Sequence, residues 1–388
     1  PRRGAPATYR YGQGKGWGPR GPCQQVNWSR CWPMSGVQPA GVLLLRRNHR
    51  SGQRRLPTIG PHRQPSMPHI IANPFTLTEF LLDSLPPEER AGVLVHPKRI
   101  KGVGYSLLKA LDAWCPFRLP GFRPFPAAYL QALQAIPAQA PVLIFGIENI
   151  KDLRILRKYL RTRRIALFTW NPVIDYQQNH QVRQLHIQQL KGLGFHIFTF
   201  DPGDAQRYGL TLTQQVYRSV ESFRQDVPAE WDIYFLGQDK NRFDTLRALA
   251  LQWQPLGLRT CIRMVPEPGR SYPATPGVEV LPRSIGYTDN IDTINRSRCL
   301  LEITQANQSG LTVRCLEALF FHKKLITNNT SVCALPFYSP ERFFVLGKDD
   351  NARLPAFLNA PLPALPPGAL DPYDFANWVR QFDDLSEG

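Results

Sequence analysis

The sequence lacks the signatures of several common protein classes. Its seven cysteines include no C-x-x-C pair and its eight histidines no H-E-x-x-H spacing, so neither a zinc site nor a disulfide framework is indicated. This use of cysteine is typical of a reducing compartment and predicts a cytoplasmic protein. No G-x-x-x-x-G-K-[ST] is present, which removes the P-loop NTPases. No apolar stretch approaches the ~18 residues of a membrane-spanning helix.

Acidic residues are absent from positions 1–66, which hold 12 Lys and Arg. This segment therefore contributes much of the formal net charge of +17 and leaves 35 basic against 30 acidic residues for 67–388. Two interpretations stand: a disordered basic leader, whose functional version would bind nucleic acid, or a mis-assigned start with Met67 as the true first residue. Because a strand pattern begins directly after Met67, we favour the second and expect no specific nucleic-acid partner.

The remaining chain alternates strand and helix patterns in two successive rounds. Such alternation is typical of α/β folds with parallel sheets and predicts two Rossmann-like domains. We expect the first over 67–226 and the second over 227–350, with a polar break near Asp226 between them. Residues 351–388 are expected to form a Pro-rich linker and a terminal amphipathic helix, on which Phe375, Trp378, Val379 and Phe382 share one face.

The segment from Cys299 to Asn329 carries the strongest functional pattern. It predicts a strand, a short polar loop, a helix and a second strand, and parallel sheets bind ligands where the strand ends and the helix begins. Gly310 would let backbone approach a ligand, and the hydroxyls of Ser309 and Thr312 together with the first helical amides would form an anion cradle. Glu317, about 10 Å further along the helix at ~1.5 Å per residue, would suit a ribose diol.

A plainer interpretation remains open for the same residues. Arg314 and Glu317 stand three positions apart and would also form an ordinary surface ion pair. Strand-loop-helix units with Ser and Gly at the junction are common in α/β proteins that bind no phosphate.

The segment Gln308 to Asn329 resembles the donor-binding segment of bacterial GT-B glycosyltransferase-like proteins. The group is that of lipopolysaccharide and capsule biosynthesis, similar to the spore-maturation type of glycosyltransferase. The likeness extends to Asp232–Arg242, Ile285–Asp289 and Phe168–Pro172 and covers roughly residues 140 to 350. It implies a GT-B-like fold with two domains facing across a cleft.

The resemblance also implies a donor site. Glu317 would hold the nucleotide ribose, Tyr287 would flank the base, and the loop of Gly237, Lys240 and Arg242 would contact the diphosphate. The full set of donor-binding candidates is Gly237, Lys240, Arg242, Tyr287, Gln308, Ser309, Gly310, Thr312, Arg314 and Glu317. As isolated residues, Lys240 and Arg242 would equally suit a solvated helix start.

Two predicted strand ends in the first domain supply the acceptor-side candidates. Glu148 and Asn149 follow one strand, and Trp170 and Asn171 follow the next, so the four are expected to line one cleft. Glu148 would equally serve as a carboxylate favoured by a helix N-terminus, and Trp170 as a core aromatic. For an inverting enzyme we expect Glu148 as the catalytic base, with Asp175 second.

These observations together predict a hexosyltransferase-type enzyme that moves sugar from a nucleotide-diphospho-sugar to a cell-surface glycan or glycolipid. We expect no cofactor beyond the nucleotide sugar, and metal independence, because no D-x-D stands at a predicted strand end. Peripheral association with the inner face of a membrane is also expected. The alternatives are a nucleotide-sugar epimerase or hydrolase on the same fold, and a non-catalytic nucleotide-sugar-binding protein.

Overall fold

A computed structural model describes residues 67–385 except 99, 101, 174–179 and 306–307, and of residues 180–185 it describes the backbone only. The basic leader and the candidate base Asp175 lie outside the described residues.

The first sheet is parallel and has the strand order β2-β1-β3-β4-β5-β6. Its strands are β1 His69–Ala72, β2 Leu94–Val95, β3 Val142–Phe145, β4 Ile165–Thr169, β5 Phe195–Thr199 and β6 Thr211–Leu212. Strands β3 and β4 are buried over their whole length, which explains their continuous apolar runs. The order reverses between β1 and β3, so this sheet's ligand crevice is expected outside the ends of those strands.

The second sheet is also parallel, with the order β12-β11-β10-β7-β8-β9. Its strands are β7 Trp231–Gln238, β8 Thr260–Val265, β9 Val278–Val280, β10 Ser297–Glu302, β11 Lys324–Thr327 and β12 Phe343–Val345. Counted from β7, this is the Rossmann order 3-2-1-4-5-6, and its switch point falls between β7 and β10. The predicted α/β fold with two Rossmann-like sheets is confirmed.

Helices connect and cover the strands of both sheets. In the first half they are α1 Thr76–Leu82, α2 Pro87–Arg90, α3 Val103–Trp114, α4 Ala127–Ala135, α5 Ile150–Tyr159, α6 His180–Gly192 and α7 Pro202–Tyr208. In the second half they are α8 Phe243–Trp253, α9 Tyr287–Asn295, α10 Val313–Phe320, α11 Leu354–Asn359 and α12 Phe375–Trp378. Short 3-10 turns cover Gln254–Leu256, Thr330–Ala334, Asn351–Arg353, Asp371–Tyr373 and Val379–Phe382. No helix within the described part of the chain is long and apolar enough to span a bilayer.

The C-terminal segment returns to the first sheet. The ring of Trp378 lies 4.9 Å from that of Phe168, and the ring of Phe382 lies 5.0 Å from that of Phe198. The indole Nε1 of Trp378 also donates a hydrogen bond to the hydroxyl of Thr213 at 2.9 Å. The apolar stripe noted in the sequence is therefore buried, because it covers one face of the first sheet and joins both domains in one core.

Part of the segment expected to be a linker is folded. Helix α11 buries Leu354, Phe357 and Leu358 in the core of the second domain, beside Phe344 of β12. Most of the prolines that suggested a linker come after this helix. The boundary expected at 226 falls between the last strand of the first sheet, which ends at Leu212, and the first strand of the second, which begins at Trp231.

Candidate functional site

The switch point of the second sheet is bridged by Arg242. Its Nη1 donates to the carbonyl of Ile303 at 2.9 Å, directly after β10, and its Nε donates to the carbonyl of Asp239 at 3.1 Å, directly after β7. A Cβ built on Gly237 would lie 3.0 Å from Nη2 of Arg242, so the absence of a side chain at that position leaves room for the guanidinium. Arg242 therefore lies between the ends of β7 and β10.

Arg314 brings a second positive charge to the same point. Its Nη2 donates to the carbonyl of Leu236 at 2.9 Å, near the end of β7. Burial, and then the like charge of Arg314, lower the pKa of Arg242 to about 10, which still leaves the guanidinium protonated at neutral pH. Burial also acts to lower the pKa of Arg314, but the carboxylate of Glu317 acts in the opposite direction, and the pKa lies above its ordinary value. Two neighbouring guanidinium groups thus lie at the switch point, with the carboxylate of Glu317 as the counter-charge of Arg314.

Glu317 is enclosed, with 2% of its surface exposed. Its Oε2 lies 2.6 Å from Nη1 of Arg314, and its Oε1 accepts from the hydroxyl of Tyr287 at 2.5 Å and from Nδ2 of Asn290 at 3.0 Å. The surface-pair interpretation of Arg314 and Glu317 is therefore wrong, because the pair is buried. Both carboxylate oxygens are held by internal donors, so binding a ribose would require Glu317 to exchange partners.

Tyr287 faces the first domain. Its ring lies 4.8 Å from the ring of Phe80 in α1, and its hydroxyl is 2.6 Å from the hydroxyl of Tyr217. Burial and then the charge of Glu317 raise the pKa of Tyr287 well above its ordinary value, so the hydroxyl keeps its proton and donates a hydrogen bond to Glu317. The ring of Tyr287 packs against protein in this structure, and its expected position beside a nucleotide base remains a prediction.

Helix α10 begins three residues after Gly310, so Gly310 lies in the loop before the helix and not in its first turn. Its first residue is Val313, and the hydroxyl of Thr312 accepts from the amides of Arg314 and Cys315 at 3.0 and 3.4 Å. The same hydroxyl donates to the carboxylate of Glu302. The hydroxyl of Thr312 and the amides of Arg314 and Cys315 are already paired within this N-cap, so their expected use for a ligand would require an exchange of partners and stays a prediction.

The loop before helix α10 binds a carboxylate of the protein itself. Asp201 follows β5 of the first domain and is fully buried. Its Oδ2 accepts from the amides of Ser309 and Gly310 at 2.6 and 2.8 Å, and its Oδ1 accepts from the hydroxyl of Ser309 at 2.8 Å. The loop therefore has the donor arrangement of an anion site, occupied here by the carboxylate of Asp201.

Gly310 is needed for the approach of this first-domain backbone. A Cβ at Gly310 would lie 2.6 Å from the carbonyl oxygen of Phe200 and 3.0 Å from Cα of Asp201. In this structure the glycine serves contact between the domains, and its expected role in the approach of a ligand stays a prediction. Gln308, also a donor candidate, lies in the same loop, and its amide donates to the carbonyl of Gln305 at 3.2 Å.

Lys240 occupies the loop after β7, with a φ of 44° and its amide donating to Glu267 Oε1 at 3.1 Å. It thus belongs to the same strand end as Arg242. Its expected contact with a diphosphate stays a prediction.

Two acceptor-side candidates come together in the first domain. Oε1 of Glu148 accepts from the amide of Asn171 at 2.8 Å, and Nδ2 of Asn171 lies 3.2 Å from Oε2 of Glu148. Both residues line a small pocket, about 30 Å³ in volume, between the ends of β3 and β4 and helix α6, with Thr169 and His186 as further polar lining. The sequence therefore placed Glu148 and Asn171 correctly beside each other, while catalysis by Glu148 stays a prediction.

Asn149 and Trp170 do not line this pocket. Asn149 caps α5, its side chain accepting from the amides of Lys151 and Asp152 at 3.0 and 3.3 Å. Trp170 packs edge-on against Phe145, with ring centroids 5.1 Å apart. The expectation of one four-residue cleft is thus corrected, because one member caps a helix and the other joins the core.

Three polar residues at strand ends were not singled out from the sequence. Asn73, after β1, donates through Nδ2 to the carbonyl of Gly146 at 2.8 Å and so spans the switch point of the first sheet. Glu302, at the end of β10, is 2% exposed, accepts from the hydroxyls of Thr312 and Thr327, and has its pKa raised by burial. Asp201 is the third. The only sequence feature that could have identified these three residues is their position, since each ends or follows a strand.

The described residues contain no group of three His, Cys, Asp or Glu side chains placed to hold a metal ion.

The solved structures that are similar to this chain include two enzymes. A glycosyltransferase from Rickettsia africae ESF-5 gives a TM-score of 0.42 at 9% identity, with 81% of this chain and 84% of that chain covered. A UDP-N-acetylglucosamine 2-epimerase from Rickettsia bellii gives a TM-score of 0.41 at 14% identity, with 81% of this chain and 95% of that chain covered. No family model matches the chain, and neither does any curated protein.

Proposed function

We propose that the protein is an enzyme that binds a nucleotide-diphospho-sugar at the switch point of the second sheet and transfers the sugar to an acceptor hydroxyl. The observation that carries the proposal is the pair of guanidinium groups, Arg242 and Arg314, at the ends of β7 and β10. Planar guanidinium groups suit the paired oxygens of phosphates, and Rossmann-order sheets bind nucleotides at this point.

The loop of Ser309 and Gly310 supports the same proposal. Its amides and hydroxyl bind the carboxylate of Asp201, and a phosphate oxygen presents a similar charge and acceptor geometry. Binding a diphosphate in this loop would displace Asp201 and loosen the contact between the domains. Sugar transfer leaves negative charge on the diphosphate, and Arg242, Arg314 and the loop amides would stabilise that charge in the transition state.

An acceptor would enter over the first domain, beside Glu148 and Asn171. Glu148 is the proposed base for an inverting reaction, because it is the carboxylate that lines the first-domain pocket. The acceptor is proposed to be a cell-surface glycan or glycolipid, and the place of action the cytoplasmic face of a membrane. The finer expectation of a lipopolysaccharide- or capsule-type enzyme stays a prediction.

The second candidate is a nucleotide-sugar epimerase or hydrolase, since the same switch-point cations would serve cleavage of the bond to the diphosphate. Incubation with a panel of nucleotide sugars, with and without acceptor glycans, separates the two. Nucleotide release that requires an acceptor supports transfer, and release without acceptor supports the epimerase or hydrolase. Binding without any release would indicate a non-catalytic nucleotide-sugar-binding protein.

A further inference from the structure

Helix α3 is oriented with its apolar face toward solvent. The side chains of Val103 and Leu107 are 90% and 62% exposed, and Leu111 and Trp114 follow on the same face two and three turns along. Together with Leu108 and Phe117 they form what we call the α3 apolar face: Val103, Leu107, Leu108, Leu111, Trp114 and Phe117. Six exposed large apolar side chains on one short segment exceed the scattered exposure that is normal for a protein surface.

The polar side of the same helix faces the protein. Lys109 pairs with Asp152 of α5 at 2.7 Å, and its ammonium lies 4.6 Å from the ring centroid of Phe125. Asp112 is 1% exposed and accepts from the amide of Leu119 at 2.9 Å. These internal bonds fix the rotation of the helix about its axis. The exposure of the apolar side is thus a built feature of the helix and not the result of a loosely docked element.

Positive charge borders the α3 apolar face. The guanidinium carbon of Arg154 lies 4.3 Å from the ring centroid of Trp114, and Nζ of Lys158 donates to the carbonyl of Phe117 at 3.2 Å. The exposed Arg118 lies beside them, donating to the carbonyl of Lys158 at 2.7 Å. The one acidic residue of helix α3 is the buried Asp112. The rim is therefore positive, with no exposed carboxylate on the helix itself.

We propose that the α3 apolar face docks on the surface of an anionic lipid bilayer. Leucine and valine side chains would enter the boundary between headgroups and acyl chains, and Trp114 would lie at the headgroup level, where its indole is favoured. The bordering cations would bind anionic headgroups. Charge complementarity selects this occupant over a second copy of the chain, since two copies would bring the same positive rims together.

Vesicle co-sedimentation of the full chain tests the proposal without any sugar transfer, so its outcome is independent of the proposed enzyme activity. The variant is Leu107→Glu/Leu111→Glu. The matched control is Leu251→Glu/Leu256→Glu, which replaces two similarly exposed leucines in the second domain and changes the net charge of the protein by the same amount. Both variants keep residues 1–66, so any binding by that basic segment is common to all three proteins. Thermal unfolding establishes that each variant is folded.

We expect the wild type and the control to bind phosphatidylcholine vesicles that contain phosphatidylglycerol, and the α3 variant to bind them about tenfold or more weakly. Pure phosphatidylcholine should bind the wild type less, and added salt should weaken binding to the mixed vesicles. Equal binding by the α3 variant, or no binding by the wild type, would overturn the proposal. Equal binding to both vesicle types would also overturn it, because anionic headgroups would then have no role in the binding. A lower oligomeric state of the α3 variant in sedimentation velocity would instead assign the face to a contact between copies and also overturn it.

Discussion

Oδ2 of Asp201 lies 2.8 Å from the amide nitrogen of Gly310, a residue 109 positions further along the chain. The contact joins the end of β5 in the first domain to the loop after β10 in the second. A buried carboxylate with three donors from one loop holds the domains together and occupies the donors that we propose bind the diphosphate.

We predict that Asp201→Asn lowers the free energy of unfolding by about 1–3 kcal/mol, because charge-assisted hydrogen bonds are lost inside the protein. The same change should raise the affinity for a nucleoside diphosphate, since an amide competes less well than a carboxylate for the loop donors. Chemical denaturation and calorimetric titration measure the two effects. Asp292→Asn, which alters an exposed carboxylate, serves as the control. Lost stability with unchanged affinity would assign Asp201 a purely structural role.

We predict that Gly310→Ala destabilises the protein by about 1–3 kcal/mol, because the new Cβ would press against a backbone carbonyl that cannot rotate away. Gly192→Ala is the matched control, since nothing lies within 4 Å of a Cβ at that position. Denaturation midpoints of the two variants give the comparison. A stable Gly310→Ala protein would show that the contact between Phe200 and Gly310 loosens readily in solution.

We predict that Glu317→Gln lowers the free energy of unfolding by about 3 kcal/mol, because the change leaves the buried Arg314 without its counter-charge. The exposed pair of Arg263 and Glu279 gives the control, and Glu279→Gln should cost less than about 1 kcal/mol.

A ribose-binding role of Glu317 is tested on the same variant. If Glu317 exchanges partners to hold the ribose, Glu317→Gln should weaken a ribonucleoside diphosphate much more than its 2′-deoxy analogue, which lacks one of the hydroxyls. Calorimetric titration of both ligands against both proteins makes the comparison. Equal affinities in all four pairings would confine Glu317 to the internal network of Tyr287, Asn290 and Arg314.

We predict that stability rises between pH 8 and pH 10.5 through Lys323. Burial, and then the charge of Arg224, lower the pKa of Lys323 to about 8 from 10.5. In this window the unfolded chain binds more protons at Lys323 than the folded chain, so the free energy of unfolding increases with pH. Lys323→Met should lose this rise. Denaturation of both proteins across the window, compared as a difference, isolates Lys323 from other titrating groups. Parallel curves would contradict the prediction.

Much of the local structure was predictable from the sequence. The unit of β10, α10 and β11 was predictable because its strands are continuous apolar runs and its helix carries an apolar face, both of which depend on near neighbours. The terminal stripe of Phe375, Trp378, Val379 and Phe382 was predictable for the same reason. The meeting of Glu148 with Asn171 followed from adjacent parallel strands ending at one edge.

Other features were decided by tertiary structure. The sequence marks Asp201 only as a residue before Pro202, and nothing local indicates that its carboxylate reaches Ser309 and Gly310. The outward rotation of α3 depends on Lys109 meeting Asp152, a partner on another helix.

The sequence by itself determined the alternation of strands and helices and the two Rossmann-like sheets, because hydrophobic periodicity is a property of neighbouring residues. Only the tertiary structure decided which polar groups the carboxylates of Asp201, Glu302 and Glu317 meet. Those partners lie in other elements, and burial away from water makes their pairing obligatory once the sheets have formed.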